Sequence, residues 1–277
     1  MYKFPLWLID AFTDSPFKGN PAGVCLVDCF PDYSAMQKIA FEMHWSETAF
    51  LKKISENNYH IRWFSPEDEA PICGHATLAS AHFLFEKKLV KNCVEFKSIA
   101  GNLTVKKDGN WLVMDFPACK VTKCEVHTEI DLLKKVLGNV NVEEVYRDTL
   151  IYVIILKSEQ EVWNCVPDFD LLKILDCRAI SITAISNDHV LEKENVSYDF
   201  VSRYFAPKVG IPEDPVCGSS HCRLTPLWSM ILGKKSMIAR QLSKRGGVLK
   251  VTYYKDSDRV SIAGQAITVL KGETIIP

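Results

Sequence analysis

Two short stretches of this sequence share one pattern. Residues 214–222 read DPVCGSSHC, and residues 71–76 read PICGHA. In each, a proline stands two residues before a Cys-Gly pair, and residues with helical spacing follow. Proline and glycine together mark a turn, so each stretch predicts a turn that opens a helix. Two such helix starts in one chain of 277 residues call for a comparison of its two halves.

The halves match over three blocks in the same order. The first block spans 61–66 and 201–207, the second 71–88 and 214–235, and the third 100–116 and 246–264. The offsets agree, since 203 − 62 is 141, 217 − 73 is 144 and 247 − 101 is 146. The sequence therefore predicts an internal duplication with a repeat of about 140 residues.

The duplication predicts an α/β (α+β) protein with two pseudo-symmetric lobes, each a rolled β-sheet around a central helix. We expect the N-terminal lobe at residues 1–118 and the C-terminal lobe at 119–277, with a C-terminal strand at about 268–277 as a candidate addition to the first. In the helix that follows PICGHA, small residues dominate the first three turns, so its neighbours must pack very closely.

Composition excludes several classes of function. The chain has 33 basic and 34 acidic residues and a net charge of −1, which argues against a nucleic-acid partner. No stretch approaches the ~18 uncharged apolar residues of a membrane span. The ten cysteines are scattered without a CxxC pair, which is typical of reduced, mostly buried thiols. We expect a cytoplasmic protein.

The two predicted helix starts suggest a binding site. A helix N-terminus offers unpaired N–H groups and roughly half a positive elementary charge, so two of them facing one cleft would hold a carboxylate. Cys73 and Cys217 stand at these starts, where the pKa of a thiol is lowered. Two facing thiols could exchange a proton across a ligand, as in cofactor-independent racemisation. The alternative is that both cysteines only pack in their turns.

Three other residues are candidates for proton transfer or substrate positioning. Glu47, in HWSETAF, is a carboxylate in a half-buried predicted strand and suits general acid/base work. The alternative is a surface glutamate on an edge strand. His75 could share a proton with a substrate, and Asp214 is either a site residue or an ordinary turn residue. The spacing of Cys73, His75 and the other candidates fits no common zinc pattern, so no metal is expected. No nucleotide-binding glycine motif is present either, so no nucleotide is expected.

Long motifs resemble the phenazine-biosynthesis isomerase (PhzF-like) family. They are DAFTDSPFKGNPAGVCLV (10–27), EMHWSETAFL (42–51), RWFSPEDEAPICGHATLASAHFL (62–84), SRYFAPKVGIPEDPVCGSSHC (202–222) and the QLSKRGGVLKV (241–251) ending. The resemblance implies a diaminopimelate-epimerase-like fold and an active site between the lobes. It also implies a homodimer that shuttles protons on a small carboxylate without metal or cofactor.

The resemblance also implies roles for individual residues. It maps the catalytic carboxylate onto Glu47, the Gly-His histidine onto His75, and the aspartate and serine of Asp-Pro-x-x-Gly-Ser onto Asp214 and Ser219. The candidate substrate-binding set is Asn20, Gly74, Gly218, Ser219 and Ser220.

One departure keeps two alternatives open. Many members of the family have threonine where this chain has Cys217, and alanine where it has Ser220. Cys73 and Cys217 occupy the positions where related epimerases and proline racemases keep catalytic thiols. A two-cysteine racemase or epimerase is thus an alternative to the isomerase, and a non-catalytic protein that binds a small molecule is another.

Overall fold

The computed structural model describes residues 2–125, 127–186, 190–191 and 196–276. Its strands are β1 (Tyr2–Ala11), β2 (Asn20–Val27), β3 (Glu47–Lys53), β4 (Asn58–Phe64), β5 (Glu69–Ala70), β6 (Cys93–Ser98), β7 (Gly101–Asp108), β8 (Trp111–Pro117), β9 (Thr122–Lys123), β10 (Val142–Arg147), β11 (Ile151–Leu156), β12 (Ala179–Ile185), β13 (Val190–Leu191), β14 (Val196–Ser197), β15 (Phe200–Ala206), β16 (Ile211–Asp214), β17 (Ser236–Gln241), β18 (Gly247–Tyr254), β19 (Arg259–Gly264) and β20 (Ala266–Ile276).

Its helices are α1 (Tyr33–Met43), α2 (Gly74–Glu86), α3 (His127–Val136), α4 (Glu159–Asn164), α5 (Phe169–Ile174) and α6 (Gly218–Leu232), with a 3₁₀ turn at Pro207–Val209. Among the described residues, no helix combines the length and the apolar character needed to cross a membrane.

The chain divides into two compact units. The first contains residues 1–115 and 262–277, and the second contains residues 116–261. The chain leaves the first unit within β8 and returns to it within β19. The lobe boundary that we expect at residues 118 and 119 stays a prediction.

The first unit is built on one series of paired strands. β1 is antiparallel to β20 and β2, and β2 is parallel to β3. β3 is antiparallel to β4, and β4 is parallel to β6 and antiparallel to β5. The hairpins β6–β7 and β7–β8 complete the series. The Asp-Gly pair at residues 108–109 predicts a hairpin turn, and the second hairpin turns there.

The second unit repeats this pairing scheme. β10 is antiparallel to β11, which is parallel to β12, as in β1, β2 and β3. β12 is antiparallel to β15, and β15 is parallel to β17 and antiparallel to β16, as in β3, β4, β6 and β5. The β17–β18 hairpin corresponds to β6–β7. The matching strand pairing of the two units therefore agrees with the predicted duplication.

The central helix of the first unit is buried on nearly all sides. α2 contacts β1, β2, β3 and β20. Its alanines, including Ala76 and Ala79, have no exposed surface and allow strands to approach its backbone. Phe12 and Leu78 also pack closely against the backbone of Gly264, where a Cβ would lie 2.4 Å from a ring carbon of Phe12 and 2.9 Å from a methyl carbon of Leu78. The small-residue pattern correctly predicts this tight packing.

The strand that begins at Glu47 lies deeper than its sequence suggests. Alternation in WSETAFLKKI predicts one buried and one exposed face, but residues 48–51 are all buried. The reason is that β3 is an interior strand between β2 and β4, with contacts to both α1 and α2. Glu47, its first residue, is therefore not on an edge strand.

Candidate active site

In the first unit, the turn at 71–73 leads directly into α2. Cys73 is the N-cap residue of α2, in an extended conformation, and its side chain makes no capping hydrogen bond. The hydroxyl of Thr77 donates to the carbonyl oxygen of Cys73 at 2.6 Å and the Thr77 N–H at 3.2 Å. These bonds secure the first turn of the helix and leave the thiol of Cys73 available to other groups.

Three chemically active side chains converge at this helix start. The Nε2 atom of His75 lies 3.0 Å from Oε2 of Glu47. The sulfur of Cys73 lies 3.5 Å from Nδ1 and 3.9 Å from Nε2 of the same imidazole. The side chains of His75 and Glu47 are only 9% and 13% exposed, so the group is largely shielded from water. Its candidate ligand atoms all lie within 4.8 Å of one another, so this residue set could hold a metal ion.

Burial and neighbouring charge shift the pKa of His75 in opposite directions. Burial alone would lower the pKa of His75, but the charges of Cys73 and Glu47 outweigh it and raise this pKa well above its usual value. Burial raises the pKa of the Cys73 thiol, and the Glu47 carboxylate adds to the effect. The prediction that the helix start lowers the pKa of Cys73 is therefore wrong. Desolvation destabilises the thiolate by more than the helix N-terminus stabilises it.

In the second unit, the equivalent turn is held by one buried glutamine. The N–H of Cys217, the N-cap residue of α6, donates to Oε1 of Gln241 at 2.9 Å. Nε2 of Gln241 donates to the carbonyl oxygen of Asp214 at 2.6 Å, and Oδ1 of Asp214 accepts from the N–H of Val216 at 3.2 Å. Gln241 thus bonds both ends of the 214–217 turn. The sequence alone does not indicate this role, although Gln241 opens the QLSKRGGVLKV motif.

The side chains near Cys217 differ from those near Cys73. The sulfur of Cys217 lies 3.2 Å from the hydroxyl oxygen of Ser219, which stands where the first unit has His75. Burial raises the pKa of Cys217 well above its usual value, and the Asp214 carboxylate adds to it, so the predicted lowering is wrong here too. The hydroxyl of Ser220 is buried and lies 2.8 Å from that of Ser181, and its predicted role in substrate binding stays a prediction.

The remaining predicted residues lie at element starts. Gly74 and Gly218 are the first residues of α2 and α6. Asn20 is the first residue of β2 and is almost fully buried. Its Oδ1 accepts a hydrogen bond from the Ser46 hydroxyl at 3.3 Å. It lies in the register position opposite Ala11 of β1.

Each turn is also preceded by the same arginine–glutamate pair. Arg62 of β4 bonds Glu69 through Nε at 2.8 Å and Nη2 at 2.7 Å. Arg203 of β15 bonds Glu213 through Nε at 2.7 Å and Nη2 at 3.1 Å. Bidentate pairs fix orientation as well as distance, so each ties the strand before a turn to the chain that enters it. The repeated blocks contain both arginines, yet the pairing is visible only in the structure.

Comparison with known proteins agrees with this architecture. The family model described as phenazine biosynthesis-like protein matches residues 9–272. A relative named as an uncharacterized isomerase, from Halalkalibacterium halodurans, is 40% identical and aligns over 100% of both chains. The crystal structure of a PhzF-family phenazine biosynthesis protein from Enterococcus faecalis is 37% identical, with a TM-score of 0.91 over 99% of this chain and 100% of that one.

A more distant structure shows the same fold. It is a hydroxyproline epimerase from Agrobacterium vitis, 10% identical, with a TM-score of 0.61 over 98% of this chain and 92% of that one. The predicted diaminopimelate-epimerase-like fold is thereby confirmed. This chain belongs to the phenazine biosynthesis-like (PhzF-like) isomerase family.

Proposed function

We propose that this protein is a cofactor-independent isomerase that moves a proton on a small carboxylate substrate, with Glu47 as the proton carrier. The observation that carries the proposal is the close approach of Glu47 Oε2 to His75 Nε2, 3.0 Å apart in a largely water-shielded site. A carboxylate beside an imidazole can accept a proton and return it without a co-reactant. The relative that carries the name isomerase supports this class of reaction.

In this mechanism the ionised Glu47 removes a proton from a carbon next to an activated double bond. The neutral acid exchanges its proton with solvent and then delivers a proton to a second carbon on the same face, and the double bonds shift between the two positions. His75 acts from 3.0 Å away by orienting the carboxylate and balancing charge as it changes. The N–H groups at the start of α2 are candidates for binding the substrate carboxylate, because the N-terminus of a helix attracts anions.

Residues of the second unit are proposed to position the substrate. Asp214 and Ser219 match the family motif, and Gln241 bonds both ends of the 214–217 turn that leads into α6. Ser219 and the N–H groups at the start of α6 are candidates for binding a carboxylate, since that helix also lacks a side-chain cap.

A deuterium-exchange experiment tests the role of Glu47 on a range of candidate substrates. A panel of small unsaturated and amino carboxylates is incubated with the protein in D₂O, and loss of C–H signals is followed by NMR. Glu47→Gln should slow any exchange that the wild type catalyses by about 100-fold or more, the range of a general acid/base group. Glu67→Gln, at an exposed position two residues before Glu69, is the matched control and should exchange normally. Unchanged exchange in Glu47→Gln overturns the proposal.

A two-thiol racemase is the second candidate function. The observation in its favour is that Cys73 and Cys217 hold the same N-cap position in their units. Burial raises the pKa of both thiols, which makes this candidate weaker than the isomerase. In the same exchange assay, Cys73→Ala and Cys217→Ala should each stop inversion of an amino acid if it is correct. Ligands that bind across the panel without any exchange would instead indicate a non-catalytic binding protein.

A further inference from the structure

We propose that Glu47, Cys73 and His75 form a binding site for a zinc ion. The site goes beyond the proposed isomerase, and its existence does not depend on that activity. The three side chains supply one oxygen, one sulfur and one nitrogen ligand, all within 4.8 Å of one another. Zinc accepts this mixture of ligands, whereas magnesium and calcium require oxygen.

The distances are close to those of a tetrahedral zinc site. Usual zinc–ligand bond lengths place nitrogen and oxygen ligands about 3.3 Å apart, and sulfur and nitrogen ligands about 3.5 Å apart. Here Nε2 of His75 is 3.0 Å from Oε2 of Glu47 and 3.9 Å from the sulfur of Cys73. The third edge, between the Cys73 sulfur and the Glu47 carboxylate, is at most 4.8 Å, and rotation about the Cys73 side chain can adjust both edges that involve sulfur.

The contact between His75 and Glu47 brings a nitrogen ligand and an oxygen ligand side by side. Their 3.0 Å separation is that of a hydrogen bond. Oε2 of Glu47 is buried, so the oxygen is shielded from water on the side away from His75. Zinc would replace the proton between these two side chains, because histidine, cysteine and glutamate bind a metal in their deprotonated forms.

The chain supports these ligands at rigid positions. Cys73 and His75 are separated by one residue at the start of α2, where bonds from Thr77 to the Cys73 carbonyl fix the first turn. Glu47 starts an interior strand, β3, that contacts α2. Three protein ligands leave a fourth tetrahedral position open to water or to a substrate carboxylate. Zinc in this site would occupy Glu47 and His75, so it would block proton transfer by the proposed isomerase.

The duplicated turn provides an internal control. Cys217 occupies the position of Cys73, but Ser219 replaces the histidine. The second turn therefore has the same helix start and thiol with a weaker ligand set. If a buried thiol at a helix N-terminus were enough to bind zinc, the two turns would bind it equally.

The experiment is a zinc titration of chelator-treated protein against a chromophoric indicator. We expect one tight equivalent in the wild type and in Cys217→Ser. Cys73→Ser, His75→Asn and Glu47→Gln should each weaken it by more than the 10–100-fold typical of an outer-shell residue. Circular dichroism and thermal melts of the metal-free variants identify any that fail to fold, and the other variants then decide the question.

Cobalt substitution tests the sulfur ligand separately. The wild type loaded with Co²⁺ should show a thiolate-to-cobalt charge-transfer absorption that Cys73→Ser lacks and Cys217→Ser retains. A protein without a tight equivalent, or with one that survives Cys73→Ser, refutes the zinc site. Neither readout depends on turnover, so failure of the exchange assay and failure of zinc binding are distinguishable.

Discussion

A buried histidine in the second unit predicts a measurable dependence of stability on pH. His221, in the first turn of α6, is fully buried, and its Nδ1 lies 2.8 Å from the carbonyl oxygen of Cys217. Nδ1 must therefore carry the proton and donate it, because a carbonyl oxygen only accepts. The other nitrogen, Nε2, is buried without a hydrogen-bond partner among the described residues. Burial lowers the pKa of His221 to about 4, and the bond to the Cys217 carbonyl only partly opposes it.

The sign of the effect follows from proton binding. As the pH falls, the unfolded chain protonates this histidine near its ordinary pKa of 6.5, whereas the folded chain protonates it only near pH 4. Between these values the unfolded state binds more protons, so the contribution of His221 to stability is present above pH 6.5 and lost as the pH falls toward 4. The full loss is about 3.5 kcal/mol, of which about 2 kcal/mol is lost by pH 5.

His221→Asn removes the titration while retaining an N–H donor for the Cys217 carbonyl. The free energy of unfolding is measured by urea denaturation at pH 7.5 and pH 5, with fluorescence and circular dichroism checked for coincident transitions. The wild type should lose about 2 kcal/mol more than His221→Asn over this interval. His44→Asn is the matched control, because His44 is an exposed histidine in a left-handed conformation that asparagine tolerates, and it should keep the wild-type pH dependence. Equal losses in the wild type and His221→Asn would refute the reasoning.

Two further predictions concern packing and positioning. Arg203→Lys should lower the free energy of unfolding by about 2–4 kcal/mol, and Arg62→Lys should lower it by less. The reason is that Arg203 also donates to three backbone carbonyls, and hydrogen bonds from a charged donor contribute more than neutral ones. Equal losses for the two variants in denaturant titrations would contradict this. Gly264→Ala should cost about 1–3 kcal/mol, because its Cβ would lie 2.4 Å from an aromatic carbon. Gly218→Ala, whose Cβ meets nothing within 4 Å, is the control, and similar melting temperatures for both variants would contradict the packing argument.

The sequence predicts well those features that local pattern and repetition encode. The two helix starts, the small-residue helix α2 and the Asp-Gly turn at 108–109 are confirmed because each depends on a few adjacent residues. The duplication is confirmed in the strand pairing because three long blocks recur in order. The diaminopimelate-epimerase-like fold follows from the family resemblance and not from composition.

Features that depend on long-range packing escape the sequence. Glu47 lies 28 positions before His75, and only the packing of β3 against α2 brings them together. The thiol pKa values move upward because burial by distant strands outweighs the local helix start. Gln241 bonds a turn 24 residues away from it, and no local motif indicates that bond.

The two turns keep their structural interactions and differ in their reactive groups, and this difference bears on mechanism. In both, the residue four positions after the cysteine bonds the cysteine carbonyl, through Thr77 in one unit and His221 in the other. The residue two positions after the cysteine is His75 in the first unit, next to Glu47, and Ser219 in the second. A racemase with two equivalent thiol bases would be expected to support both thiols with similar partners. Here one turn has an imidazole and a carboxylate and the other a hydroxyl, and this asymmetry argues against the two-thiol racemase.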